Sequence, residues 1–223
     1  MTGKISEIFK SFQGEGLYVG ERQLFVRFFG CNLNCRYCDT KLDHFREYNI
    51  EELCVEINRL GGGCHSISFT GGEPLTQKDF LKEVMASTKK NGFRNYLETN
   101  GSLPDALKEV VEHVDIIAMD FKLPGSTGMK DFWKEHKRFL EVAKEKEVFV
   151  KAVISTSTAE ADFKDAISLI NQSNAAPVLV LQPDASDKSG DLAEKIHRFR
   201  QIAEENNVTS CVLSQLHKII GAR

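Results

Sequence analysis

Three cysteines lie within eight residues, at Cys31, Cys35 and Cys38, in the spacing C-x3-C-x2-C. Thiolates so close in sequence converge on one point, which favours a soft metal ion or an iron–sulfur cluster. A structural zinc ion requires a fourth ligand, for which His44, Cys54 or Cys64 is available. An iron–sulfur cubane normally takes four cysteines, so three leave one iron open to a substrate or cofactor. The spacing favours the iron–sulfur cluster, and zinc remains the alternative.

A second motif, Thr70-Gly71-Gly72-Glu73-Pro74, follows the predicted strand Ser66–Thr70. The two glycines expose backbone N–H and C=O groups to a ligand. Pro74 restricts Glu73 to an extended conformation, which holds this backbone open. A similar turn, Ser11–Gly16, has glycines on both sides of Glu15. Each segment alone is also compatible with an ordinary turn.

Arg27 interrupts the apolar stretch Leu24–Phe29, which we predict to be a strand. An arginine inside such a strand requires a partner. It either extends to the sheet edge or binds an anionic ligand. The sequence leaves both interpretations open.

The elements between these motifs are predicted to bring them to one edge of a sheet. Apolar strands alternate with amphipathic helices, which is typical of βαβ units and mostly parallel strands. In parallel α/β folds, ligands bind at the C-terminal ends of the strands. About six or seven strands are too few for a closed eight-stranded barrel. We therefore expect a partial, open (β/α) barrel that begins with Ile5–Phe9 as an edge strand. The predicted strands are followed by glycine or polar residues at Gly30, Gly71, Thr99, Asp120, Gln182 and Ser214.

Length and composition predict a single α/β domain over residues 1–223. The chain has 41% hydrophobic and 27% charged residues, which is typical of a globular protein with an ordinary core. Its net charge of −3 argues against broad electrostatic binding to nucleic acid. No signal peptide and no apolar run of about 18 residues is found, so we expect no membrane segment and a cytoplasmic location.

Cysteines and histidines outside these motifs are interpreted as structural or solvent-exposed. Disulfides are not expected in the cytosol. Three scattered cysteines are interpreted as small buried residues, with no further role assigned: Cys54, Cys64 and Cys211. Four histidines are predicted to lie on the surface or on helix faces: His65, His113, His136 and His197.

Together, the cysteine motif and Gly71-Gly72-Glu73-Pro74 resemble the radical S-adenosylmethionine (SAM) superfamily. In that superfamily C-x3-C-x-φ-C holds a [4Fe–4S] cluster, and Tyr37 supplies the aromatic residue before the last cysteine. The resemblance implies that the open iron binds the amino and carboxylate groups of SAM. Reductive cleavage of SAM then yields a 5′-deoxyadenosyl radical that abstracts hydrogen from the substrate. Asp120-Phe121-Lys122 differs from the Ser-Pro-Lys of some members. Implied SAM contacts are Tyr37, Cys38, Asp39, Gly71, Gly72, Glu73, Asp120 and Lys122.

Four further segments resemble the 7-carboxy-7-deazaguanine synthase family: Phe12–Gly16, Val26–Asn32, Cys38–Thr40 and Gln215–Lys218. The resemblance covers nearly the whole chain. It implies a lyase of queuosine and deazapurine biosynthesis. That family contracts the ring of 6-carboxy-5,6,7,8-tetrahydropterin to 7-carboxy-7-deazaguanine, with loss of ammonia and regeneration of SAM.

The same resemblance implies roles for individual residues. Arg27 would bind the substrate carboxylate, and Thr40 would bind Mg²⁺ through its hydroxyl. It also implies a flavodoxin or ferredoxin as electron donor and a homodimer. Further substrate contacts are implied for Phe12, Gln13, Gly14, Glu15, Thr70 and His217.

Two alternatives remain at this point. A glycyl-radical activase of the same superfamily shares the compact size and the Gly-Cys-Asn-Leu-x-Cys start. It acts on a protein, however, and would not need the turn at Phe12–Gly16 or Arg27 beside the cluster. A non-catalytic zinc-binding module would contain zinc and would not depend on SAM.

Overall fold

The computed structural model describes residues 1–38, 40 and 43–221 of the chain. Its strands form one sheet. They are β1 (Thr2–Phe12), β2 (Arg22–Phe28), β3 (Arg46–Asn49), β4 (Ser66–Gly71), β5 (Asn95–Thr99), β6 (Ile116–Phe121), β7 (Glu147–Ile154), β8 (Val178–Pro183) and β9 (Ser210–Val212). The order across the sheet is β3-β1-β2-β4-β5-β6-β7-β8-β9. All pairs from β2 to β9 are parallel, and β1 is antiparallel to both β2 and β3.

This order confirms the predicted partial, open barrel, because the described strands form a linear series rather than a closed ring. Two details of the prediction were wrong. The described sheet has nine strands rather than six or seven. The first strand is not at the edge, since β3 pairs with it from Thr2↔Asn49 to Ile5↔Arg46. β3 was missed because its Arg-Glu-Tyr-Asn sequence has no apolar alternation, and pairing with β1 determines its conformation.

Helices connect the parallel strands, and the first of them begins at a side-chain cap. Asn49, the last residue of β3, forms a capping box with Glu52 and starts the first helix. Among the described residues, no helix is long and apolar enough to cross a membrane. The helices are α1 (Ile50–Gly61), α2 (Lys78–Lys90), α3 (Pro104–Val110), α4 (Pro124–Thr127), α5 (Trp133–Ala143), α6 (Glu160–Gln172), α7 (Leu192–Glu205) and α8 (Leu216–Ile220).

Alternation along each strand gives the sheet two different faces. In β6, Ile117, Met119 and Phe121 are fully buried in the large core between the sheet and the helices. Their neighbours on the other face begin with Ile116, which belongs to a small second cluster, and end with Asp120. The same change from apolar to polar along the inner face recurs in β5, β7 and β8. The inner face is therefore apolar at the N-terminal ends of the strands and polar at the C-terminal ends.

The scattered cysteines follow the prediction only in part. Cys54 is buried in the large core, as expected. Cys64 and Cys211 are partly exposed, since Cys64 lies in the loop before β4 and Cys211 lies on β9, the last strand of the described sheet.

Candidate functional site

A cavity of about 290 Å³ opens at the C-terminal ends of the parallel strands. Strands β2 and β4–β8 contribute its floor. Three segments contribute its walls: the loop that carries Cys31, Cys35 and Cys38 (the cysteine loop), the turn after β1 at residues 13–15, and the C-terminal tail at residues 215–218. Asp39 lies outside the described residues. Glu73 does not line the cavity. The predicted site residues that do are Phe12, Gln13, Gly14, Glu15, Arg27, Cys31, Cys35, Tyr37, Cys38, Thr40, Thr70, Gly71, Gly72, Asp120, Lys122 and His217.

The cysteine loop lies over one side of the cavity and carries three free thiols to it. The backbone N–H of Leu33 points at Cys31 Sγ from 3.4 Å, and Cys35 Sγ lies 4.0 Å from the sulfur of Met129. Burial raises the pKa of the Cys31 and Cys35 thiols. Within residues 1–38, 40 and 43–221, no three His, Cys, Asp or Glu side chains form a ready-made metal site.

This donor set fits an iron–sulfur cluster better than a zinc ion. A cubane holds its cysteine sulfurs farther apart than one tetrahedral ion does, and it accepts three protein ligands with one iron open. None of the proposed fourth zinc ligands lines the cavity. His44 is exposed, Cys54 is in the core, and Cys64 lies at the opposite end of β4 from the cysteine loop. The three sulfurs facing one open cavity therefore match the cluster.

Gly71 and Gly72 hold the cysteine loop by close backbone approach. The N–H of Gly72 donates to the carbonyl of Phe28 at 3.1 Å, and the N–H of Glu73 donates to the carbonyl of Gly30 at 2.9 Å. A Cβ on Gly72 would lie 2.5 Å from the Gly30 carbonyl carbon and 2.9 Å from Cys31 Cβ. Gly71 adopts φ = 141°, which favours glycine. The two glycines thus fit β4 against the start of the cysteine loop.

Glu73 is fully buried, and its carboxylate accepts hydrogen bonds from neighbouring residues of the chain. Oε1 accepts from the N–H of Leu75 at 3.1 Å and from Thr99 Oγ1 at 2.9 Å, and Oε2 accepts from the N–H of Asn100 at 2.7 Å. Burial raises the pKa of Glu73 to about 7, although these hydrogen bonds oppose the shift. The side chain of Glu73 does not face the cavity, so its predicted contact with SAM would have to be made by the backbone. The side chain instead joins the ends of β4 and β5.

Asn100 connects the cysteine loop to this junction. Its side-chain amide donates to Asn32 Oδ1 at 2.9 Å and lies 4.0 Å from Cys31 Sγ. Asn32 in turn donates to Ser102 Oγ at 2.8 Å. Sequence reasoning noted Thr99 after the strand and did not single out Asn100. The ligand-carrying loop is therefore fixed by side chains as well as by the glycines.

His136 supports Asn100 from the helix side, and of the two predicted locations, the surface or a helix face, it takes the second, on the buried face of α5. The ring is fully buried, stacks on Phe121 at 4.7 Å between centroids, and bonds through Nε2 to the carbonyl of Asn100 at 3.2 Å. Burial lowers the pKa of His136 to about 3, so the ring is neutral. Since the carbonyl accepts, Nε2 carries the proton. The signal for burial was present, because His136, Phe139, Leu140 and Ala143 share one face of α5.

Asp120, Lys122 and Tyr37 form a charged cluster beside the cysteines. Lys122 Nζ donates to Asp120 Oδ2 at 2.7 Å and to the Tyr37 hydroxyl at 3.2 Å. Burial opposes the charge of Lys122, but Asp120 and the other neighbouring groups together outweigh burial and keep the pKa of Lys122 well above its usual value. Burial and the nearby Asp120 raise the pKa of Tyr37, so its phenol stays protonated. Asp120 Oδ1 is buried and has no hydrogen-bond partner among the described residues, which leaves this oxygen free to accept from a ligand.

Glu98 is the central carboxylate on the cavity floor, and sequence reasoning did not single it out. Its oxygens accept from Gln13 Nε2 at 2.8 Å, from Ser68 Oγ at 3.0 Å and from Thr70 Oγ1 at 2.9 Å. All three donors are neutral. Gln13 is itself buried and also bonds Gln23, so the turn after β1 is anchored to the floor. A carboxylate with neutral donors is suited to a ligand that brings further N–H groups.

Glu15 and the C-terminal tail close the cavity from above. Glu15 forms an ion pair with Lys151 and accepts from Gln215 Nε2 at 2.5 Å. The backbone N–H of Leu216 donates to the carbonyl of Gly14 at 2.8 Å. A Cβ on Gly14 would lie 2.9 Å from the Cβ of His217, so the missing side chain makes room for the tail. The tail thus covers the turn that carries the predicted substrate residues.

Arg27 has a partner inside the chain. Its Nε lies 3.1 Å from Glu7 Oε2, and its guanidinium lies 5.6 Å from the centroid of the Phe9 ring. The side chain is 23% exposed and lines the cavity. Phe12 is half exposed at the mouth. The strand position of Arg27 is thus explained by Glu7 and Phe9, and its role toward a ligand carboxylate stays a prediction.

Thr40 also lines the cavity, and its backbone carbonyl lies 3.9 Å from Cys38 Sγ. Its predicted Mg²⁺ role stays a prediction.

Comparison with known proteins gives concordant matches. A model of the radical SAM superfamily matches residues 25–170. A 7-carboxy-7-deazaguanine synthase from Geobacter sulfurreducens is 34% identical over 243 aligned positions, covering 98% of this chain and 97% of that protein. One from Methanopyrus kandleri is 35% identical over 240 positions, covering 97% and 92%. Among solved structures, QueE from Escherichia coli has a TM-score of 0.66 at 21% identity over 95% of this chain and 94% of that one, which shows a shared fold.

Proposed function

The chain belongs to the 7-carboxy-7-deazaguanine synthase family of the radical SAM superfamily, and we propose that it converts 6-carboxy-5,6,7,8-tetrahydropterin into 7-carboxy-7-deazaguanine with release of ammonia. One observation carries the proposal. The cysteine loop and the polar ends of five neighbouring parallel strands, β4–β8, face the same cavity. A radical enzyme requires this juxtaposition, because its cofactor must lie next to one hydrogen atom of the substrate.

The residues on the cysteine side are suited to hold a [4Fe–4S] cluster and SAM. When bound, this pair supplies a carbon radical that removes one hydrogen atom from the substrate. Cys31, Cys35 and Cys38 would hold the cluster. The backbone of Gly71 and Gly72 lines the cavity beside them and would bind the amino acid end of SAM. Asp120 Oδ1 would accept a hydrogen bond from SAM, since it is buried without a partner.

The residues on the opposite side are suited to a pterin that carries a carboxylate. Arg27 would form an ion pair with the substrate carboxylate beside Glu7. Glu98 would accept N–H groups of the aminopyrimidinone ring, because its four acceptor positions exceed the three donors that it has among the described residues. Thr70 and Gln13 orient that carboxylate. Glu15 and His217 would contact the polar edges of the ring from above, next to Phe12 and Gly14.

We propose further features from membership of the family, and no contact between described residues bears on them directly. Thr40 lies at the cavity wall, which supports a Mg²⁺ ion between its hydroxyl and substrate oxygens. A flavodoxin or ferredoxin would supply the electron that the cluster needs. We also propose a homodimer, a cytoplasmic location, and one domain over residues 1–223, the last supported by the single sheet.

The test is turnover by the reconstituted protein. Anaerobically prepared enzyme is reduced and incubated with SAM, Mg²⁺ and 6-carboxytetrahydropterin, and the product is identified by mass. We expect the deazaguanine product and one ammonia per turnover. The matched control is Cys35→Ala, which removes one cluster ligand and should form no product. Stoichiometric zinc without iron or sulfide in the wild type would contradict the proposal, and so would a reconstituted cluster that cleaves SAM but leaves the pterin unchanged.

A further inference from the structure

Lys151 carries a positive charge into the middle of the cavity. It lies on β7, and its neighbours Val150 and Ala152 point into the large core on the other face of the sheet. The side chain is 12% exposed. Its ammonium forms an ion pair with Glu15 and lies 3.9 Å from Asp120 Oδ2. One cation therefore connects the turn that lies on the substrate side with the strand end that lies on the cofactor side.

The two carboxylates depend on Lys151 to different degrees. Asp120 is the cross-strand neighbour of Lys151 and has a closer cation, Lys122, at 2.7 Å. Among the described residues, Lys151 is the one cation that forms an ion pair with Glu15. Removing Lys151 would thus leave Asp120 paired and Glu15 as a partly buried carboxylate without its cation, which is a costly arrangement. Lys151 therefore matters more for the charge of Glu15 than for that of Asp120.

The surroundings of Glu15 use it as an acceptor. Lys151 and Gln215 both donate to its oxygens. Burial opposes ionisation of Glu15, but the Lys151 charge and these hydrogen bonds outweigh burial and lower the pKa of Glu15 to about 2. A protonated Glu15 would instead present an O–H donor toward an N–H of a ligand, and the two donors would not pair.

We propose that Lys151 is a positioning residue for the substrate, which holds Glu15 as an ionised acceptor for an N–H group of a pterin-like ring. The inference rests on the proposed function, since it requires such a ring in the cavity. Charged or titratable groups near Glu15 come from several elements. They are Lys151 on β7, Tyr96 on β5 and His217 in the tail, and, beyond Lys151, Asp120 on β6 and Glu98 on β5.

The experiment measures binding without turnover. Reconstituted protein in the oxidised state is titrated with 6-carboxytetrahydropterin and SAM, without reductant, from about pH 5.5 to about 8.5. We expect Lys151→Met to raise the dissociation constant of the pterin about tenfold to a hundredfold at the acidic end, because Glu15 becomes protonated. The loss should shrink toward high pH, and Lys151→Arg should restore most of the affinity. The surface control is Lys89→Met, which removes a 3.1 Å ion pair with Asp115 and should bind like the wild type.

A double-mutant cycle keeps the test decisive if Lys151→Met folds poorly. Glu15→Gln and Glu15→Gln/Lys151→Met contain no carboxyl at position 15, so removal of Lys151 should change the affinity of the pterin little in that background. Any pH dependence caused by His217 persists in both. Equal affinity of Lys151→Met and wild type, or a loss that is the same at every pH and in the Glu15→Gln background, would overturn the inference alone. Absence of pterin binding by the wild type would overturn the proposed function and the inference with it.

Discussion

Gly72→Ala is expected to displace the cysteine loop. The new Cβ would overlap the Gly30 carbonyl oxygen and lie 2.5 Å from the Gly30 carbonyl carbon, and ordinary contact begins near 3.4 Å, so the gap must open by at least 3.4 − 2.5 = 0.9 Å. Both obstacles, Gly30 and Cys31, belong to the cysteine loop and cannot rotate away as a side-chain tip does. A direct shift of this size would lengthen the Glu73 N–H to Gly30 carbonyl bond from 2.9 to 3.8 Å, which breaks it.

The cost follows from these two effects. Overpacking costs about 1–3 kcal/mol, and the lost backbone hydrogen bond adds about 1 kcal/mol, so we expect the free energy of unfolding to fall by about 2–4 kcal/mol. The iron content after reconstitution should fall as well, because Cys31 follows Gly30. Denaturant unfolding of the apoprotein and iron and sulfide analysis measure the two effects.

The matched control is Gly62→Ala, since a Cβ on Gly62 would meet nothing within 4 Å. It should leave stability within about 0.5 kcal/mol of the wild type and should not change the iron content. A Gly72→Ala protein with wild-type stability and full iron loading would refute the reasoning, because the glycine would then not be needed for the fit of the loop.

Three further predictions concern single side chains. Arg27→Ala should weaken pterin binding about tenfold to a hundredfold and leave the iron content unchanged, and loss of iron would contradict its assignment to the substrate. The raised pKa of Glu73, about 7, means that the folded protein binds more protons than the unfolded one between about pH 4.5 and 7. The wild-type apoprotein should therefore lose roughly 3 kcal/mol relative to Glu73→Gln as the pH rises through this window, and parallel stabilities would contradict it. The lowered pKa of His136, about 3, has the opposite sign, because the unfolded protein binds the extra proton below about pH 6.5. Acidification toward pH 3 should cost the wild type on the order of 4 kcal/mol relative to His136→Phe, as acid unfolding of both proteins can measure.

Several parts of the fold were predictable because local chemistry determines them. The apolar spacing from Ile50 to Leu60 predicts a helix that the following glycines end, and α1 is found at Ile50–Gly61, because both signals are local. Gly72 was expected to approach a ligand, and the structure adds that it approaches Gly30 first. Asp120 was expected just after its strand, but it lies inside β6, because strand ends depend on the pairing partner.

Other features depend on contacts between distant segments and have no local signature. Strand β3 exists because β1 offers it a free edge. Glu98 and Lys151 each follow an apolar residue within a short strand, and only the curvature of the sheet turns both toward one cavity. The pairing of Glu15 with Gln215 joins positions 200 residues apart. The cavity could be located from the sequence, whereas the charge pairs inside it could not.

The two faces of the sheet also bear on how this scaffold tolerates change. On β5 to β8, residues that contact the cavity alternate with residues that support the helices, so each strand carries the two tasks on separate side chains. Substitution at Glu98, Asp120, Lys151 or Gln182 can therefore alter what the cavity accepts without removing apolar volume from the large core. Insertion of a single residue into one of these strands would instead disrupt the core. Beyond the insertion, side chains that face the cavity would point into the core, and core side chains would point into the cavity. Libraries that diversify one inward position per strand should retain folded members, and frame-altering insertions in the same strands should not.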